Sequence, residues 1–224
     1  FAIIATSVTL SACNSGGTSA NSTSNATPPA SGSGSGSGSQ ASAASNVVPI
    51  VIDAGPTGQS PDNTPFVSVT VCSTSSPTNC QTIDHIILDT GSMGLRLFAN
   101  KLNSSLNLTP QTINGQTTAE CTLFGSGYDW GSIALANVKM AGEIANNVPI
   151  QIINDSTIPS VPSDCSNEGA YNDLGGANGI IGVNPLPYDQ GNYYSCSGSS
   201  CTLNSSITTA QQVVSPVYKF STDN

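Results

Sequence analysis

From Val47 onward, apolar residues come in short runs of strand length, separated by turn-forming residues at intervals of roughly ten positions. Pro65-Phe66-Val67-Ser68-Val69-Thr70-Val71-Cys72 alternates apolar with polar, as a half-buried strand does. Ile86-Ile87-Leu88 is continuously aliphatic, the pattern of a strand buried on both faces, and it ends in an acid, Asp89. Further strands are expected over Val47–Ile52, where Pro49 marks an edge, over Thr117–Phe124, and over Ser132–Met140 and Ile144–Asn154 joined at Ala141-Gly142. Phe98–Leu102 suits a short helical turn, Ser205–Val214 is the best helix candidate, and Val217–Ser221 reads as a last strand. Asp155–Asn172 is loop-rich. In Leu174–Val183 glycines stand on both sides of an aliphatic pair. Many short strands with few helical stretches predict an all-β barrel or sandwich, and about 175 residues suffice to enclose a core.

The first 46 residues follow another pattern. Phe1–Leu10 is apolar but too short for a stable membrane anchor, and it reads as the apolar part of a signal peptide. It runs into Leu10-Ser11-Ala12-Cys13, which resembles a bacterial lipoprotein cleavage box and implies that Cys13 becomes the lipidated first residue. Residues 14–46, with Ser-Gly repeats and little apolar content, suit a flexible tether. Residues 1–13, 14–46 and 47–224 are therefore expected to be leader, linker and folded domain. The expected location is the bacterial cell envelope, lipid-anchored at the outer membrane and facing periplasm or surface.

Composition removes several function classes. Four Lys+Arg against 13 Asp+Glu, a formal net charge of −9, leave no basic face for nucleic acid. With a single histidine, His85, metal clusters and Ser/His/Asp triads are poorly supplied, and no cofactor or metal is expected. His85 itself is expected to face solvent or a core hydrogen bond. Setting Cys13 aside leaves an even set of cysteines in an oxidising compartment. Cys72 and Cys80 flank one turn-rich loop and Cys196 and Cys201 another, so Cys121 and Cys165 are left to pair with each other.

The chain's chemistry centres on Ile86-Ile87-Leu88-Asp89-Thr90-Gly91-Ser92-Met93-Gly94-Leu95. A core strand delivers a carboxylate into a tight turn with hydroxyls on either side. A buried carboxylate is costly unless it is hydrogen-bonded, so a purely structural strand gains little by ending this way. The plain alternative is a β-turn whose Asp bonds its own backbone. Asp89-Thr90-Gly91-Ser92 after an aliphatic strand resembles the active-site loop of pepsin-like aspartic proteases. The order of landmarks downstream is similar to that of one pepsin-like lobe. Phe124-Gly125-Ser126-Gly127-Tyr128 resembles the flap that folds over substrate. Gly179-Ile180-Ile181-Gly182 resembles the segment that passes beside the Asp loop and completes a ψ-shaped core. Gln211–Phe220 resembles the terminal helix and strand. The chain is also similar to bacterial lipoproteins that carry such a domain without an established activity.

The resemblance implies a β-barrel or sandwich lobe with a ψ-loop and one or two short helices, acting on peptide or protein substrates. Asp89 would be one of two water-activating carboxylates, Thr90 would brace the loop, Gly91 would let it bend and Ser92 would hydrogen-bond the carboxylate. Three departures stand beside it. Phe124 lacks the hydroxyl of the family's flap Tyr, leaving Tyr128 or Trp130 as substitutes or as plain packing residues. Met93 replaces a small polar residue. A second Asp-Thr-Gly is absent. The partner acid is therefore expected from a C-terminal lobe following Asn224 or from a second copy, and a lipid-anchored binding protein of the same fold is the alternative. The other acids considered, Asp84, Asp129 and Asp173, are expected to face solvent.

If residues 10–13 are a cleavage box, mass spectrometry of the N-terminal peptide from a bacterial host should find Cys13 lipidated and Phe1–Ala12 removed. An unmodified Cys13 with those residues still attached refutes the expectation.

Overall fold

The computed structural model describes residues 46–58 and 63–221. The leader, Cys13 and tether residues 14–45 lie outside the described residues. No helix among the described residues is long and apolar enough to cross a membrane.

The strands are β1 (Val51–Asp53), β2 (Thr64–Ser73), β3 (Cys80–Asp89), β4 (Met93–Phe98), β5 (Thr109–Pro110), β6 (Thr112–Ile113), β7 (Gln116–Phe124), β8 (Gly127–Met140), β9 (Glu143–Ile153), β10 (Gly179–Val183), β11 (Asn192–Ser197) and β12 (Ser200–Leu203). The fold is all-β. Neighbouring strands run β2-β3-β10-β4-β9-β8, and β8 pairs back onto β2, so these six close into a barrel. Closure depends on the length of β8. Its first part pairs β7, while Ala136–Lys139 pair Ser73–Thr70 of β2. β7, β11 and β12 extend the sheet beyond the barrel, and β1 is its other edge.

The alternation read from the sequence fills the barrel. Val69, Val71, Ile86, Leu95, Leu97, Ile150 and Ile181 are all fully buried in one cluster. Each such side chain contributes about 1.5–3 kcal/mol on removal from water. A second cluster, built on Ala119, Cys121, Trp130 and Tyr194, lies where β7, β8 and β11 leave the barrel. The three disulfides are Cys72–Cys80, Cys121–Cys165 and Cys196–Cys201, the first and third expected from their short loops and the second by elimination. The first and third join directly opposed residues of adjacent strands. The second ties the loop-rich segment to β7 across 44 residues and has the largest loop-closure effect, about 4 kcal/mol.

β10 lies between β3 and β4, which are consecutive in sequence. It runs parallel to β3, with Gly182 opposite Asp89, and antiparallel to β4, with Gly182 opposite Gly94. A strand inserted between two consecutive strands traces a ψ, and glycine explains how it fits. A Cβ on Gly182 would fall 2.3 Å from the carbonyl carbon of Ser92, and one on Gly179 would fall 2.3 Å from the oxygen of Arg96. Between them Ile180 and Ile181 point to opposite faces, into separate apolar clusters.

Several expectations need correction. The first strand begins at Val51, not Val47, because Pro49 has no N–H to add to a ladder. The expected helix over Ser205–Val214 is a single 3-10 turn, Thr209–Gln211, closed by a Thr208/Gln211 capping box. Val213 and Val214 are drawn into the core, and Ser215 is extended ahead of Pro216. The expected strand Val217–Ser221 gives way to a second 3-10 turn, Pro216–Lys219. The cysteine-flanked turn between Cys196 and Cys201 is the tip of the β11–β12 hairpin. The helical turn near Phe98 is present as Ala99–Lys101.

Gly182→Ala should lower unfolding free energy by about 1–3 kcal/mol in urea titration with disulfides intact, because β10 and the Asp89 loop must separate. Gly125→Ala, with no atom within 4 Å of the added Cβ, should change it by about 0.5 kcal/mol or less. Equal effects of the two substitutions would contradict the close-approach argument.

Candidate functional site

Asp89 ends β3, and the chain turns through Thr90-Gly91-Ser92 into β4. Its Oδ1 accepts a hydrogen bond from the Gly91 N–H at 2.9 Å, so the self-bonded turn is present. The carboxylate also lines a cleft of ≈ 470 Å³. Self-bonding and cleft exposure coexist because the turn occupies one oxygen and leaves Oδ2 free of it. Thr90 is exposed, while the Ser92 hydroxyl is buried without a partner among the described residues. Asn184 N donates to the Ser92 carbonyl, so the loop is held by the residues following β10.

Across the cleft from this loop stand Thr122, Leu123, Phe124 and Gly125, the first arm and tip of the β7–β8 hairpin. Of the expected flap residues, Phe124 and Gly125 therefore face Asp89. Ser126 faces a neighbouring cavity, lined by Ile87 and Tyr171. Gly127 and Tyr128 are tied to the loop-rich segment: Tyr128 N donates to Ala170 O and Asn172 N to Tyr128 O, both at 2.9 Å. Tyr128 packs edge-on to Tyr171, and Trp130 packs on Tyr194 with its indole N–H on Pro159 O. Neither aromatic lines the Asp89 cleft. Trp130 is a core residue of β8, not part of the hairpin tip.

The inner wall of the cleft is a buried ionic cluster. Alternation on β4 sends Leu95 and Leu97 into the barrel and Arg96 to the other face, where it is 1% exposed. Its Nε donates to Thr122 Oγ1 and its Nη2 to Glu120 Oε1, both at 3.0 Å. The guanidinium also reaches the Met93 carbonyl and the Asp189 carboxylate. Asp189 Oδ1 accepts from the Tyr193 hydroxyl at 2.8 Å and from Gly191 N at 3.2 Å. Gln151 joins the cluster through Thr122 and the Glu120 carbonyl. The second carboxyl oxygen of Glu120 is buried without a partner.

One guanidinium thus faces two carboxyl groups. Burial pushes Glu120 well above the usual carboxylate range, against the pull of Arg96 and with the push of Asp189. Burial pulls Arg96 down, but Glu120 and Asp189 outweigh it and its pKa is raised. The Tyr193 hydroxyl is pushed upward by burial and by the same two acids. Breaking such a buried pair by removing one member typically costs about 3–5 kcal/mol.

Asp129, directly opposite Thr122 in the β7–β8 ladder, has no exposed surface and no hydrogen bond to either carboxyl oxygen. This corrects the expectation that it faces solvent. A polar residue inside an alternating strand reads as outward-facing, but the first part of β8, paired with β7 outside the barrel, is buried at successive positions and so on both faces. Burial pushes Asp129 up to about 7, with Arg96 lowering and Asp173 raising it. Asp84 and Asp173 are exposed as expected. His85 is half-buried between two acids, Nε2 lying 3.2 Å from Asp53 and Nδ1 3.4 Å from Asp84, with Phe66 edge-on.

Sequence reasoning missed Glu120, Arg96, Asp189 and Asp129. The available signal was Arg96, a lone cation at an alternating position between two core leucines in a chain with four Lys+Arg. Among the described residues no cluster of His, Cys, Asp and Glu is arranged to hold a metal ion.

Residues 42–224 match the family described as "Protein of unknown function (DUF3443)". The chain belongs to that family. No curated protein matches it. The matched residues include every strand and the whole cleft, so the Asp89 loop, the hairpin and the ionic cluster all lie within the family's domain.

A raised carboxyl pKa makes stability pH-dependent with a known sign. Between pH 4 and 7 the unfolded chain releases the Asp129 proton while the folded chain keeps it, so stability falls as pH rises through that window. Asp129→Asn should remove that component. The variant should match wild type near pH 4 and exceed it by about 2–4 kcal/mol near pH 7.5 in urea titrations. Parallel pH profiles for the two proteins would contradict the assignment.

Proposed function

We propose that residues 47–224 form a lobe of the aspartic-peptidase type, with Asp89 one of two carboxylates that hydrolyse peptide bonds. The observation that carries this reading is the joint placement of Asp89. It sits in a turn that β10 braces through Gly182, and it faces a cleft closed on the other side by the β7–β8 hairpin. A pepsin-like lobe arranges its own Asp loop, ψ-strand and flap in the same order. An extended peptide between hairpin and loop would be held by strand-like hydrogen bonds, with Phe124 packing against its side chains.

The chemistry needs two carboxyl groups that share one proton. The ionised carboxylate takes a proton from water as the water oxygen attacks the scissile carbonyl, and the protonated one stabilises the oxygen that becomes charged. Asp89 supplies one of the two carboxyl groups, and a second lobe or a second copy supplies the other. The low-charge composition and the three disulfides suit an envelope location, with Cys13 as the lipid anchor. A second reading is favoured by two observations: Phe124 has no hydroxyl to offer, and the Ser92 hydroxyl makes no bond to Asp89. In that reading the cleft binds extended peptides without cleaving them.

Cleavage of a mixed peptide library by the full-length protein, followed by mass spectrometry from pH 3 to 7, separates the two. The peptidase reading expects mildly acidic activity, inhibition by a statine peptide, and loss of about 10²–10⁴-fold in Asp89→Asn with the fold retained. Peptide binding without cleavage across that range supports the binding reading. Cleavage that survives Asp89→Asn places the chemistry elsewhere.

A further inference from the structure

Arg96 is enclosed, yet its four acceptors belong to three separate walls of the cleft. The Met93 carbonyl closes the Asp89 turn, Thr122 and Glu120 lie on the hairpin arm β7, and Asp189 lies on the strap between β10 and β11. All four residues line the cleft with Asp89. These walls come from distant parts of the chain, and a single planar group meets all of them.

We infer that Arg96 is the positioning residue of this cleft, a strut that sets the Asp89 turn, the hairpin arm and the strap at fixed spacing around a bound peptide. The peptide in this statement rests on the function proposed above; the strut itself does not. A guanidinium suits the task because its donors diverge in one rigid plane, whereas an ammonium is a single point on a flexible stem. Reception of an anionic ligand is the competing use of a buried arginine. Here Nε and both terminal nitrogens are already bonded to protein oxygens, so no such receptor is presented. The surrounding backbone is cut to fit the cluster. A Cβ on Gly94 would fall 3.0 Å from Arg96 Nη1, and one on Gly191 would fall 2.4 Å from Glu120 Oε1. Three of the four acceptor residues, Thr122, Glu120 and Asp189, lie outside the six barrel strands, and the fourth, Met93, is where β4 leaves the Asp89 turn.

The experiment is amide hydrogen exchange on the full chain, wild type against Arg96→Gln and Arg96→Lys. Residues 90–93, 121–125 and 188–192 should exchange together about tenfold faster in both variants, with β3 and β10 unchanged inside the barrel. Uniform acceleration of barrel and cleft, or acceleration of one wall alone, overturns the inference. If Arg96→Gln fails to fold, Asp189→Ala carries the test: the strap and, through the partly released guanidinium, residues 90–93 should loosen. Unchanged exchange at 90–93 overturns it. With a cleaved peptide in hand, Arg96→Lys should raise KM and lower kcat, giving a loss of about tenfold or more in kcat/KM. A lysine variant with wild-type kcat/KM overturns the positioning role and leaves the peptidase reading intact. Three walls loosening together in a protein that neither binds nor cleaves peptides upholds the strut and overturns the peptidase reading.

Discussion

The insertion of β10 between β3 and β4 is the constraint on which the rest of the molecule depends. β3 and β4 are joined by a turn too short to allow any other strand between them except one that arrives later and threads the gap. Once Gly179–Val183 occupies that gap, the barrel has a closed wall, the Asp89 turn is pressed outward, and the residues following β10 emerge beside the cleft. The contact tolerates no side chain at Gly182, where the backbone of Ser92 and Met93 lies against the strand. Position of the carboxylate and closure of the core are therefore one event, reached by pairing across a long loop. Such non-local pairing forms slowly, and the Cys121–Cys165 disulfide, which lies between β4 and β10 in the chain, shortens the loop and reduces the entropy it must overcome.

A second constraint lies on the outer face of the same wall. Each inward leucine of β4 forces its neighbour outward, and the neighbour is Arg96. Water is excluded there by β7, β11 and the strap, so the guanidinium must find its acceptors inside the protein. It finds two carboxyl groups, Glu120 and Asp189, and burial pushes Glu120 well above the usual carboxylate range. Apolar residues of similar volume would often be no less stable at such a site. Retention of charged groups beside a cleft is what functional sites commonly display, because geometry and protonation there are held by the same contacts.

The barrel interior and the cleft thus divide the labour between two kinds of interaction. Apolar packing is non-directional and supplies most of the stability. The buried polar cluster is directional and sets distances between segments that apolar packing alone would leave adjustable. This division also explains the fate of the aromatics. Trp130 and Tyr194 pack edge-on in the cluster that holds the Cys121–Cys165 disulfide, whereas Phe124, half-buried, packs against the separate cluster of Phe98, Leu174 and Ile180 and also lines the cleft.

Period-two alternation in β2, the aliphatic run before Asp89 and the turn residues between strands are local signals, and they determined the strand composition and the all-β class. Local spacing also determined two disulfides, since short turn-rich loops bring their ends together whatever the surroundings. In the sequence, Gly179-Ile180-Ile181-Gly182 shows only glycines on both sides of an aliphatic pair, and its place beside the Asp89 loop is what the resemblance implies. What tertiary structure alone decided is which face of each strand meets water. Glu120 and Asp129 occupy positions that alternation assigns to solvent, and only the curling of β7, β8 and β11 beyond the barrel covers them. The segment from Ser205 to Val214 has helical spacing, yet burial of Val213 and Val214 and the restriction imposed by Pro216 outweigh so weak a preference. Local sequence specifies hydrogen-bonding pattern and periodicity. Burial is a property of what lies opposite, and that depends on residues far away in the chain.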